Sequence, residues 1–134
     1  MGTEDTSIIS HISIGTNNFD RAVAFYDKVL SSLGCKQIMS HPGAVAYGHA
    51  FPEFWVQTPI NGEAATTGNG SHIGFIAKTK EAVHAFHAAA ISEGGTDDGA
   101  PGPRPDYGEE YYGCFIRDLD GNKIEATYWN ADKK

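Results

Sequence analysis

Two histidines and one glutamate give this chain its clearest chemical prospect. His11 and His72 occupy the same place in a repeated tripeptide, Ser10-His11-Ile12 and Ser71-His72-Ile73, and Glu125 stands near the other end in a run of alternating apolar and polar residues. Two imidazoles and a carboxylate converging on a cavity form a three-ligand site with open coordination positions, suited to Zn²⁺, Mn²⁺, Ni²⁺ or Fe²⁺. The plainer alternative is three separate polar groups, each hydrogen-bonded on a solvated sheet face. Which holds depends on the elements that carry them.

The tripeptides open an internal repeat. Laid side by side without a gap, Asp20 meets Glu81, Ala24-Phe25 meets Ala85-Phe86, Ser31 meets Ser92 and Gly34 meets Gly95; such self-similarity constrains the architecture before any element is assigned. A chain of 134 residues, 40% apolar, buries one core and is too short for two. The repeats are therefore expected to be halves of one domain spanning 1–134: a first module at about 8–60, a linker at 61–70 rich in Gly, Thr, Asn and Ala, and a second module at about 71–129.

Alternation predicts a strand over 8–14 with Ile8, Ser10, Ile12 and Ile14 on its buried face. Thr16-Asn17-Asn18 is a cap signal for a helix over about 19–33, with Ala22, Phe25, Tyr26, Val29, Leu30 and Leu33 recurring at three and four and Gly34 ending it. Strands follow at 36–40, 43–49 and 53–58. The second module repeats the plan with a strand over 71–78, a helix from a Thr79 cap to about 92, and strands at 95–98, 111–117 and 123–129. Asp98–Gly108, with three prolines and three glycines, suits an ordered loop beside a site or a stiff surface connection. Asp118-Leu119-Asp120-Gly121-Asn122 begins like a calcium loop, but Lys123 and Trp129 stand where the glycine and the bidentate glutamate belong, so a hairpin turn is expected.

Side-chain parity then sorts the faces. Ile73, Phe75 and Ala77 share an apolar face, leaving His72 and Gly74 opposite; Ile124, Ala126 and Tyr128 share another, leaving Lys123, Glu125 and Thr127 opposite. His11, His72 and Glu125 all point away from the helices, with Ser13 and Gly74 beside the histidines leaving volume for a ligand. Arg104 could pair with a substrate carboxylate or phosphonate. Of Tyr111 and Tyr112, one is expected in the core and one on the cavity wall, where a phenol could meet developing charge. Glu81, His84 and His87, one turn apart on the second helix, read as an exposed helix face.

The formal net charge of −7 and the lack of a Lys/Arg run weigh against nucleic acid and anionic membranes as partners. No apolar stretch approaches a membrane span and no secretion signal opens the chain, which predicts a cytoplasmic protein. Met1 to Thr6 fits the bare myristoylation pattern, though its acidic character argues for a plain polar terminus. Cys35 and Cys114 lack metal or redox spacing and read as reduced thiols.

The arrangement resembles a known family. Two strand-helix-three-strand modules with His11 in the first strand, His72 in "SHIGF" opening the second module and Glu125 in "RDLDGNKIEA" are similar to the vicinal oxygen chelate superfamily of glyoxalases, bleomycin-resistance proteins, fosfomycin-resistance transferases and extradiol dioxygenases. "FDRAVAFYDKVLSSLG" resembles the family's first helix. The resemblance implies an α+β fold of two tandem βαβββ modules whose curved mixed sheets enclose a cavity, with helices outside. It implies that His11, His72 and Glu125 are metal ligands, and that the chain forms a homodimer in which His11 of one subunit joins His72 and Glu125 of the other.

One departure matters. Glyoxalases carry a fourth ligand, Glu or Gln, on the last strand of the first module, where this chain reads Glu53-Phe54-Trp55-Val56-Gln57. Trp55 falls at the ligand position and its indole cannot ligate; Glu53 or Gln57 shares its parity and would serve if the register slipped by two. The expected function is a divalent-metal-dependent enzyme acting on a small oxygenated substrate, of lyase, isomerase or thiol-transfer type. Glu125 and Tyr111 are its catalytic candidates, and Ser13, Trp55, Gln57, Gly74, Arg104 and Tyr112 its substrate contacts. The alternatives are a metal-free protein that sequesters a drug or metabolite, as bleomycin-resistance proteins do, and an extradiol-type dioxygenase.

Overall fold

The computed structural model describes residues 8–130; the myristoylation pattern at Met1–Thr6 lies outside them. The first module runs β1 (Ile12–Gly15), α1 (Phe19–Ser31), β2 (Lys36–His41), β3 (Ala44–Gly48) and β4 (Phe54–Gln57). The second runs β5 (His72–Ile76), α2 (Lys80–Ser92), β6 (Thr96–Pro103), a 3₁₀ turn (Pro105–Tyr107), β7 (Tyr111–Arg117) and β8 (Lys123–Trp129). Each module folds into one mixed four-stranded sheet, ordered β1-β4-β3-β2 and β5-β8-β7-β6, and neither sheet closes into a barrel. The module's first strand pairs in parallel with its last, which is why a helix must cross over between them.

Local chemistry starts and stops the helices where expected. The Asn18 side chain accepts from Arg21 N at 3.3 Å and Thr79 Oγ1 accepts from Ala82 N at 3.0 Å, each satisfying a donor that the first helical turn leaves free. After α1 the chain reverses through Gly34 at φ +81°, a backbone region that glycine enters without strain. Ala22, Phe25, Tyr26, Val29 and Leu30 of α1 and Val83, Phe86 and Ala90 of α2 are buried. They join one core that spans both modules, with Phe54 and Phe75 meeting edge to face at 5.0 Å across the junction.

A polar latch also joins the halves. The Asp118–Asn122 turn wraps Asp118, which accepts from Asp120 N (2.9 Å) and Asn122 N (2.8 Å) through Oδ1, and from Asn122 Nδ2 (3.0 Å) and the Tyr26 hydroxyl of α1 (2.6 Å) through Oδ2. Asp120 Oδ1 accepts from Asn17 N, just ahead of α1, at 2.9 Å. The aspartates that resemble a calcium loop thus bind the chain's own donors.

Two strands differ from expectation. β1 begins only at Ile12, and Ile8 and Ile9 are 94% and 74% exposed. The partner sets this limit: β4 starts at Phe54, opposite Ile12, so Ile8 is not on a buried face. β6 extends to Pro103, well into the expected loop, because β7 offers a full edge to pair with and two register shifts absorb the Gly and Pro residues.

The cysteines are free thiols in unlike settings. Cys114 is fully buried, its Sγ donating to Val83 O at 3.7 Å, and burial pushes its thiol up to about 11. Cys35 is half-buried, its thiol raised by burial and by the Glu53 charge. A thiol reagent is therefore expected to modify Cys35 alone in the native protein, faster as pH rises, with Cys114 reacting only on unfolding. Two equivalents of native labelling would contradict the packing of β7 against α2.

Candidate active site

The outward face of the second sheet carries the site. Strand register sets Gly74 of β5 opposite Glu125 of β8, and Glu125 opposite Phe115 of β7. His72, two residues before Gly74, reaches over the same face, its Nε2 lying 3.2 Å from Glu125 Oε1. Glu125 is only 7% exposed. Its other oxygen, Oε2, accepts from the Tyr111 hydroxyl at 2.5 Å, and burial together with this carboxylate holds the Tyr111 phenol well above its usual value. Tyr111 is thus a neutral donor that fixes Glu125 and aims Oε1 outward.

In front of this pair is a cavity of about 500 Å³ lined by His72, Asp98, Gly99, Arg104, Tyr107, Phe115, Lys123 and Glu125. The Phe115 ring is its centre: His72 meets it at 6.1 Å, with Lys123 Nζ at 4.8 Å and the Arg104 guanidinium at 5.9 Å from the centroid. Gly99 has φ +155° and a Cβ there would lie 3.0 Å from that ring, so the position favours glycine. Arg104 donates to the carbonyls of Ala100, Gly102 and Pro103, bracing the end of β6 while it lines the cavity. Asp98 receives Arg117 at 3.0 Å and Lys123 at 3.9 Å.

His72 also lines two further cavities. One, of about 440 Å³, runs as a crevice between the modules along the free edge of β5 and past Ile12, Phe54 and Cys35. The other, of about 300 Å³, is lined with hydroxyls from Ser13, Thr66, Thr67 and Ser71.

Of the expected site residues, the structure brings His72, Glu125, Tyr111, Gly74 and Arg104 together, with Ser13 reached through the hydroxyl-lined cavity. His11 is exposed, its Nδ1 3.0 Å from Ser10 Oγ, and it lines none of these three cavities. Trp55 and Gln57 lie on the first sheet, Trp55 stacked on His41 with ring centroids 6.3 Å apart. Tyr112, expected at the substrate, instead stands on the helix side, its hydroxyl 2.7 Å from His84 Nε2, because its parity in β7 is opposite to that of Tyr111. His87 is likewise taken, 2.8 Å from Asp97, whose carboxyl that hydrogen bond lowers. Among the described residues no group of three His, Cys, Asp or Glu could hold a metal ion.

Phe115, Lys123, Tyr107 and Asp98 were not among the expected site residues. The first two were within reach of parity, since Phe115 alternates with Tyr111 and Lys123 with Glu125. Asp98 depends on how β6 bulges, and Tyr107 on the 3₁₀ turn that follows it.

Register also settles the symmetry question. Ser13 pairs with Trp55 in the first sheet as Gly74 pairs with Glu125 in the second. Trp55 is therefore the structural counterpart of Glu125, with Glu53 and Gln57 two positions to either side.

Paired βαβββ modules with a ligand-type face on the outer side of the sheet define the class. The chain belongs to the glyoxalase/bleomycin resistance protein/dioxygenase superfamily, whose family model matches residues 8–126. It is similar to a glyoxalase/bleomycin resistance protein from Albidiferax ferrireducens T118, with 40% identity over 90% of this chain and 98% of that one and a TM-score of 0.81. A glyoxalase/bleomycin resistance protein/dioxygenase family enzyme from Burkholderia phytofirmans PsJN shares the fold at 21% identity over 90% of this chain and 98% of that one, TM-score 0.69. So does a lactoylglutathione lyase from Agrobacterium tumefaciens at 19% identity over 93% and 95%, TM-score 0.64. No curated protein matches the chain. No helix among the described residues is long and apolar enough to cross a membrane.

Proposed function

We propose that this protein is a divalent-metal-dependent enzyme acting on a small oxygenated substrate, with His72 and Glu125 of one subunit and His11 of a second copy as ligands. The observation that carries this reading is the 3.2 Å approach of His72 Nε2 to Glu125 Oε1. A nitrogen and an oxygen each about 2.0–2.2 Å from one ion lie roughly 2.8–3.6 Å apart at octahedral to tetrahedral angles, so the two atoms fit a shared cation without moving. The single-chain donor set is one short, and a partner's His11 completes it, which makes the homodimer part of the proposal.

Such an ion, Zn²⁺, Mn²⁺, Ni²⁺ or Fe²⁺ by its nitrogen and oxygen donors, supplies Lewis-acid stabilisation of an oxyanion or enolate. The chain's own residues do the remainder. Tyr111 holds Oε2 so that Oε1 alone faces the cavity as the ligand atom. Phe115 and Tyr107 wall the substrate, and Lys123 and Arg104 add positive charge beside it. Trp55 leaves the fourth ligand position of glyoxalases unfilled, which weighs against glyoxalase-type proton transfer within the lyase, isomerase and thiol-transfer group.

The test is metal content and its dependence on protein concentration. Untagged protein is expected to carry about one divalent ion per chain as a dimer and to release it on dilution to monomer, as measured by elemental analysis with sedimentation. A monomer of full affinity would remove His11 from the site. Protein that binds no divalent ion at any concentration would favour a metal-free sequestering protein.

A further inference from the structure

We infer that the ligand of this site is amphipathic, with an oxygen-bearing head at His72 and Glu125 and an uncharged apolar tail in the crevice between the modules. The head's location rests on the function proposed above; the tail rests on the crevice itself.

The crevice and the active-site cavity adjoin at His72, which lines both, and beside it the backbone of Gly74 forms the sill. A Cβ at Gly74 would lie 3.2 Å from Glu125 Oε1 and 3.8 Å from Thr127 Cγ2, so any side chain there would crowd the carboxylate and narrow the opening. At about 440 Å³ the crevice is within the range of small-molecule sites.

Its walls decide the chemistry. Ile12, Leu33, Phe54, Ile73, Phe75 and Ile76 line it, and no Lys or Arg does. The one acidic group along it is Glu53, which disfavours an anionic tail. A glutathione adduct, with two carboxylates and no cation here to receive them, is a poor occupant; an alkyl chain buries apolar surface on both sides. Ile76, 77% exposed at the mouth, gains cover only when something lies against it.

Straight-chain 2-oxo acids from pyruvate upward serve as probes, with two adjacent oxygens at one end and an adjustable tail. Their affinities for the full chain, measured by calorimetry with and without Zn²⁺, are expected to rise about three- to fourfold per added methylene until the crevice is filled. Cys35 lies in the lining, and the longer acids are expected to slow its maleimide labelling while pyruvate does not. Ile76→Asp, a change at an exposed residue that leaves the fold intact, is expected to weaken the long acids about tenfold and leave pyruvate unaffected.

A flat chain-length series, with Cys35 equally reactive throughout, would overturn the inference. So would a glutathione adduct that outcompetes the long acids, or a Cys35 that resists labelling in the free native protein because a second copy covers the crevice. Failure of the metal reading is distinguishable: the metal-free series then keeps its slope while added Zn²⁺ changes nothing. A slope that is absent while Zn²⁺ still tightens pyruvate would sink the tail site and leave the metal site standing.

Discussion

Glu125→Gln is expected to lower divalent-metal affinity by at least about a hundredfold while leaving the fold intact. The amide keeps the shape of the side chain in β8, and its oxygen can still accept from Tyr111, so packing is preserved. What disappears is the charged oxygen that faces the cavity 3.2 Å from His72. Losing a group that merely orients a ligand already costs about 10- to 100-fold, and a ligand itself should cost at least the upper end. Tyr111→Phe is the natural companion: it removes the donor to Oε2 and is expected to fall within that 10- to 100-fold range. Competition titration against a chromophoric chelator reads both variants on one scale. Unchanged affinity in Glu125→Gln would remove Glu125 from the metal site, and a Tyr111→Phe effect larger than that of Glu125→Gln would reverse their roles.

Asp118→Ala is expected to destabilise the protein by about 3–5 kcal/mol, lowering Tm by roughly 10–20 °C. Asp118 is 6% exposed and Tyr26 1% exposed. Removing the carboxylate strands the buried Tyr26 hydroxyl, the Asn122 side chain and two backbone donors of the turn together. Each abandoned buried donor costs about 1–3 kcal/mol unless water reaches it. Chemical denaturation with unchanged m-value gives the number directly. Tyr26→Phe, which leaves Asp118 its other three donors, should cost far less, about 1 kcal/mol. A loss under 1 kcal/mol for Asp118→Ala would mean that the turn does not need its carboxylate.

The parts of the fold that the sequence displays plainly are those where local pattern and tertiary partner agree. β8 alternates and is paired with β7 along its whole length, and Thr79 caps α2 where its side chain predicts. Disagreement begins where the partner, rather than the pattern, sets the limits. Ile8 to Ile14 alternate well enough for a longer strand, yet β4 reaches only to Ile12. Asp98 to Pro103, in contrast, has the composition of a loop and becomes strand because β7 lies alongside. The same logic divides the site. Parity on single strands was enough to set His72 and Glu125 on one face, but Asp98 enters at a bulge of β6 and Tyr107 from the 3₁₀ turn after it, neither of which periodicity encodes. Nor could parity bring His11 to the others, since it stands just ahead of β1, whose sheet is the other one.

Trp55 and Glu125 hold equivalent places in the two halves and make those halves chemically unequal. Each half carries its own histidine, but at this position the second presents an acid and the first an indole stacked on His41. A fold with near-twofold internal symmetry thus shows one polar face and one aromatic face, so a molecule that meets it can tell the two halves apart.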